Sequence, residues 1–122
     1  MTTRTLTDFY WISITLFALM MAASGVMYLV DAPLKERFTH LGFPSYFRIE
    51  LATFKLAGAV VLLLPFPDFM KEWAFAGFFI VLASASIAHR GSGDGPKKVI
   101  TPMFVAAILA LSYIAFRHLG HA

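Results

Sequence analysis

Residues 9–30 read FYWISITLFALMMAASGVMYLV and contain no charged side chain. A membrane crossing needs about 20 such residues, each rising about 1.5 Å through a hydrocarbon core about 30 Å thick. Tyr10 and Trp11 open the run and Tyr28 lies near its far end. These are the positions where amphipathic rings meet the two membrane–water interfaces. A cleaved secretory leader is the competing reading, with Ala22, Ala23 and Ser24 as a cleavage site. The apolar run continues to Val30, and only Arg4 stands ahead of it, opposed by Asp8. A retained helix over 9–30 is therefore expected.

The chain beyond this segment repeats the pattern. Asp31 to Phe43 reads as a polar loop, carrying Lys35, Glu36, Arg37 and His40. Pro44 suits a first helical turn, where its missing N–H costs nothing. A second helix over 44–64 is ended by Pro65 and Pro67, and a third spans 72–89 with Trp73 at the interface. Gly91 to Pro96 is a turn by composition. A last helix covers 99–117, with Pro102 in its first turn or at a kink. Short links between consecutive helices predict antiparallel neighbours. The expected fold is all-α: an antiparallel four-transmembrane-helix bundle forming one membrane domain over 1–122. Small residues at three- and four-residue spacing (Ala18, Ala22 and Gly25; Gly58; Ala74 and Gly77; Ala106 and Ala110) would let the backbones approach closely in lipid.

Composition agrees with a membrane protein. The chain is 59% hydrophobic and 14% charged, against about 25% charged for an average soluble domain. With no cysteine, disulfides, thiolate metal sites, covalent haem and dithiol chemistry are excluded for this chain alone. The net charge is +3, but the basic residues are scattered over loops with no basic stripe, so nucleic acid is not an expected partner. The two charged turns hold Lys35, Arg37, Arg90, Lys97 and Lys98, and the opposite side holds Arg4, Lys71 and Arg117. That bias leans toward cytoplasmic turns, with both termini outside.

Three ionisable residues interrupt the second helix: Arg48, Glu50 and Lys55. A charge at the bilayer centre costs about 2.5–3.5 kcal/mol on insertion scales, so such residues need partners or water and mark functional sites. Alternating helix direction brings Tyr28, Arg48, Glu50, Ser86 and His89 toward one face, with Asp31, Asp94 and Thr101. Lys55 lies roughly 15 Å further along its helix. Arg48 and Lys55 share a face, whereas Glu50 is rotated about 140° from Lys55 and cannot pair with it on the same helix. Ser24 and Tyr28 share a face of the first helix, as do Ser86 and His89 of the third. A candidate polar pocket therefore comprises Lys55, His89, Glu50, Arg48, Tyr28 and Ser86. The plainer alternatives are snorkelling of Arg48 and Glu50 to headgroups and a dipole-capping role for His89. No metal site is expected: His118 and His121 are three apart, but two ligands at a chain end are weak grounds for one. Phe75, Phe78 and Phe79 read as core or lipid-facing rather than as a quinone slot.

The stretch Lys71-Glu72-Trp73-Ala74-Phe75-Ala76-Gly77-Phe78, followed by His89 and the Gly93-Asp94 turn, resembles the DoxX-like family of small four-helix membrane proteins. Leu41-Gly42-Phe43-Pro44 and Phe54-Lys55-Leu56-Ala57-Gly58 fit the same pattern. The resemblance covers essentially the whole chain. Lys55 departs from the broader DoxX family, where Glu is common at the matching position. That resemblance implies links to membrane-bound oxidoreductase assemblies, including a thiosulfate:quinone oxidoreductase subunit.

The leading expectation is an accessory or quinone-facing subunit of a membrane redox system, in the bilayer of a bacterial inner membrane. It carries no cofactor of its own, with quinone as the candidate ligand and other redox subunits or a second copy as candidate partners. The alternatives are a stand-alone membrane enzyme doing acid–base chemistry on a lipid-soluble substrate, and a structural or assembly protein. Whether any residue is catalytic stays open.

Overall fold

A computed structural model describes residues 2–120. Among the described residues there are five helices and no strand: α1 (Thr3–Val30), α2 (Ala32–His40), α3 (Ser45–Leu63), α4 (Asp68–Gly91) and α5 (Pro96–Gly120). The expectation of four helices is thus corrected. The segment 31–43, read as a loop, contains a nine-residue helix. Its start is capped by Asp31, whose carboxylate accepts from the Leu34 N–H at 3.2 Å, and Pro33 falls in its first turn. It ends in a Schellman turn: Gly42 takes φ +84°, Phe43 N–H donates to the Phe38 carbonyl, and Gly42 N–H to that of Thr39. So short a helix is marginal alone. The buried Phe38 ring fixes it to the rest of the protein.

The other helices run slightly longer than expected at several ends. Pro44 is the N-cap of α3 rather than its first residue, α4 starts at Asp68, and α5 starts at Pro96 with Pro102 inside it. Three helices are long and apolar enough to cross a membrane: Thr3–Val30, Asp68–Gly91 and Pro96–Leu119. α3 falls outside that group because its 19 residues include Arg48, Glu50 and Lys55.

Each long helix packs against two others: α1 on α3 and α5, and α4 on α3 and α5. Side-chain contacts show the neighbours to be antiparallel. Tyr10 and Ser13, early in α1, meet Phe116 and Ser112, late in α5. Glu72, early in α4, meets Tyr113 and Arg117 of α5. The centre is filled by Ile14, Phe17, Leu62, Phe75, Phe78 and Leu109. Phe75 and Phe78 are therefore core, as the sequence allowed.

The α3–α4 contact depends on two glycines. A Cβ at Gly58 would lie 2.7 Å from the Phe78 ring, and one at Gly77 would lie 2.4 Å from the Phe54 ring. Each helix thus seats an aromatic ring of the other where it has no side chain, the small-residue packing used between helices in lipid. On the other side of α3, Gly25 of α1 lies against the Ala52 carbonyl.

Candidate functional site

Tyr28 is the hub of the site. It lies in the last turn of α1, where a helix leaves its final carbonyls without an intrahelical partner. The Arg48 guanidinium, one turn into α3, donates to the Tyr28 carbonyl oxygen and so caps α1 from the neighbouring helix. Lys55, seven residues further on the same face of α3, is 5% exposed. Its Nζ donates to Ser24 Oγ at 2.9 Å and to Tyr28 Oη at 2.7 Å, and lies 4.0 Å from the centroid of the Tyr28 ring. The four-residue spacing of Ser24 and Tyr28 puts both hydroxyls on the face that meets α3.

The charge balance of this cluster is its main chemical feature. Among the described residues neither Arg48 nor Lys55 has a carboxylate within ion-pair distance; the ion pairs are His40–Asp94, His89–Asp94 and Glu72–Arg117. Two buried cations are thus held by neutral oxygens and a ring face. Lys carries three N–H donors and Arg five. Two of the Lys55 donors and one Arg48 nitrogen are used.

The six residues expected to share one pocket divide into separate groups. Lys55, Arg48 and Tyr28 come together, joined by Ser24. Glu50 is exposed and makes no hydrogen bond or ion pair with them, as its rotation around α3 from Lys55 leads one to expect. Ser86 is buried, but its hydroxyl donates to the Val99 carbonyl at 2.7 Å, tying α4 to α5. His89 Nδ1 donates to Asp94 Oδ2 at 2.7 Å, and Asp94 Oδ1 accepts from His40 Nε2 at 3.1 Å.

Local backbone explains that last group. α4 ends in a second Schellman turn, with Gly93 at φ +78° and the Asp94 N–H on the His89 carbonyl. The turn folds Asp94 back over His89, so backbone and side chain meet the same residue. The Asp94 carboxyl is held below the usual carboxylate range. The His89 hydrogen bond is the largest cause, joined by His40 and the Lys98 charge, while burial opposes them. Among the described residues no group of His, Asp and Glu is arranged to hold a metal. His118 is exposed on α5, and His121 lies outside the described residues.

A second polar group at the opposite end was not read from the sequence as a site. Tyr113 Oη and Arg117 donate to the two oxygens of Glu72 at 2.7 and 2.8 Å. Lys71 is buried, donating to the Leu62 carbonyl at 3.2 Å. Expected just ahead of a helix starting at 72, Lys71 instead belongs to a helix that already began at Asp68, and it turns inward. The available signal was Pro67 followed by an acidic residue, a helix-start pattern. Between α1 and α5 there is also an open groove of about 480 Å³, lined by Phe9, Leu16, Met20, Phe104 and Ile108 among others, with Ser13 its one hydroxyl.

Long apolar helices, packed through glycines and carrying buried cations, define a small all-helical integral membrane protein. A sequence model of the DoxX-like family matches residues 12–112, and the chain belongs to that family. No curated protein and no solved structure matches it.

Proposed function

We propose that this protein is a quinone-facing accessory subunit of a membrane redox system, crossing the bilayer four times through α1, α3, α4 and α5. In this reading Lys55 is the ligand-binding group, with Arg48, Tyr28 and Ser24 around it. α3 is about 28 Å long by its rise per residue, close to the hydrocarbon thickness. It can cross because its two cations on the α1-facing side are turned away from lipid.

One observation carries the reading: Lys55 is buried with two neutral hydroxyl acceptors and, among the described residues, no carboxylate partner. A structural buried ammonium is ordinarily paired with an anion, because removing a lone charge from water is expensive. A cation-rich, acceptor-poor site favours a ligand that brings its own electron-rich oxygen. A quinone headgroup is lipid-soluble and carries carbonyl oxygens that become more negative on reduction. Lys55 would donate its remaining N–H to one of them, and the charges of Lys55 and Arg48 would favour the reduced, more anionic state.

The test is a titration of the protein in lipid nanodiscs with a short-chain ubiquinone, alongside extraction of quinone carried through purification. Saturable binding is expected, weakened at least about tenfold in Lys55→Leu by loss of a charged hydrogen bond, and partly kept in Lys55→Arg. No saturable binding, or equal binding in Lys55→Leu, rejects the proposal.

A second reading has its own support: every side-chain hydrogen bond of Lys55 and Arg48 ends on α1. The pair would then be a clasp that fixes α1 to α3. On that reading Lys55→Met lowers thermal stability and the wild-type protein binds no quinone.

A further inference from the structure

The short helix α2 and the α4–α5 turn are not used by the proposed chemistry, yet α2 packs on Tyr28 and is joined to the turn by the His40–Asp94 hydrogen bond. The Phe38 ring of α2 is buried and lies edge-on to Tyr28, with ring centroids 4.8 Å apart. That same Tyr28 ring carries the Lys55 ammonium. Phe38 is therefore the side chain of α2 that stands over the hub. α2 itself packs only on α1 and α3. It is flanked by a single linking residue, Asp31, and by the left-handed Gly42.

α2 has one polar tie across the molecule. His40, the last residue of α2, donates to the Asp94 carboxylate, which is held from behind by His89 of α4. We propose that α2 is a lid over the Lys55 site, and that His40, Asp94 and His89 form a proton-sensitive latch holding it shut. The lid half rests on Lys55 being a ligand site; the latch half does not.

The chemistry sets the direction of the response. Imidazole is the side chain whose ordinary titration falls between about pH 5 and 8. Protonated, it adds an ion-pair attraction to the hydrogen bond it gives the carboxylate and is free of any tautomer requirement; neutral, it still donates to the charged oxygen but without that attraction. Neutral, His40 must carry its proton on Nε2 and His89 on Nδ1 for both bonds to persist. The charged groups facing Asp94 are His40 from α2, His89 from α4 and Lys98 from α5. Lys98 supplies an attraction that does not depend on either imidazole. The His40 side chain is 57% exposed, so protons reach the latch from water. The latch is tightest at mildly acidic pH and loosens as pH rises through the imidazole range.

Hydrogen–deuterium exchange of the full chain in lipid nanodiscs tests this, comparing pH 5.5 with 8.5 after correction for intrinsic exchange. Protection of the α2 amides should fall by up to about fivefold at the higher pH, the loss of one exposed ion-pair attraction. His40→Gln should keep a hydrogen bond from a neutral donor and abolish the pH dependence, and Asp94→Asn should lower α2 protection at both values. α1 and α5 amides report whether each variant is folded. Equal wild-type α2 protection at the two values, or full pH dependence surviving in His40→Gln, overturns the latch. A short-chain ubiquinone titration on the same samples separates the two ideas. Binding without an α2 response rejects only the latch. An α2 response without binding rejects the site beneath the lid and leaves the latch standing.

Discussion

At the residue scale the account turns on hydrogen-bond capacity rather than on charge alone. Tyr28→Phe keeps the ring beneath the Lys55 ammonium but removes the oxygen at 2.7 Å. It should cost about 1–3 kcal/mol in thermal or denaturant unfolding, the range for a buried charged donor losing one acceptor. Glu50→Gln, by contrast, should leave both stability and quinone binding unchanged, because Glu50 is exposed and apart from the cluster. Asp94 gives a pH signature. Its folded carboxyl titrates below the ordinary value of 3.8, so its contribution is present above that value and is lost as pH falls through the lowered one. Acid titration of stability should show a loss below about pH 4 that Asp94→Asn removes. Helical geometry made part of this legible: the shared face of Arg48 and Lys55, the Ser24–Tyr28 pair and the divergence of Glu50 all follow from 100° per residue. It could not assign partners across helices, so His89 and Ser86 were grouped with Lys55 although one bonds Asp94 and the other the Val99 carbonyl.

At the element scale, the α3–α4 contact is the most exposed to substitution. Gly77→Ala puts a methyl carbon within 2.4 Å of the Phe54 ring, which must move. A destabilisation of about 1–3 kcal/mol is expected from overpacking, read as a lowered unfolding midpoint. Gly91→Ala, where a Cβ meets open space, is the matched control and should be near neutral. The long helices were readable because each contains a long apolar run, and α3, α4 and α5 have Pro or Gly at their ends. α2 was not. Only Leu34 and Phe38 of its nine residues are large and apolar, and a helix that short depends on the Asp31 cap, the Gly42 turn and the burial of Phe38. The cap and turn residues were visible in the sequence, but the burial is a tertiary fact. The start of α4 was missed for a related reason: Pro67 was taken as ending one helix, when it also begins the next.

At the scale of the whole molecule, the parts form one chain of dependence. Glycines let α1, α3 and α4 approach, the α1–α3 contact buries Lys55 and Arg48, and α2 packs on Tyr28 while His40 ties it to the α4–α5 turn. The absence of cysteine makes orientation testable by single introductions. With five basic residues in the two charged turns against three on the other side, Ser92→Cys should react with an impermeant maleimide only after the membrane is opened. Thr2→Cys should react in intact cells. The most direct measurement of the central claim is photolabelling of the membrane-embedded protein with a photoreactive quinone, followed by peptide mapping. The account predicts label on residues 24–28 and 48–55, displaced by excess unlabelled quinone. Label confined to the α1–α5 groove around Leu16 and Phe104, or label that excess quinone does not displace, would contradict it.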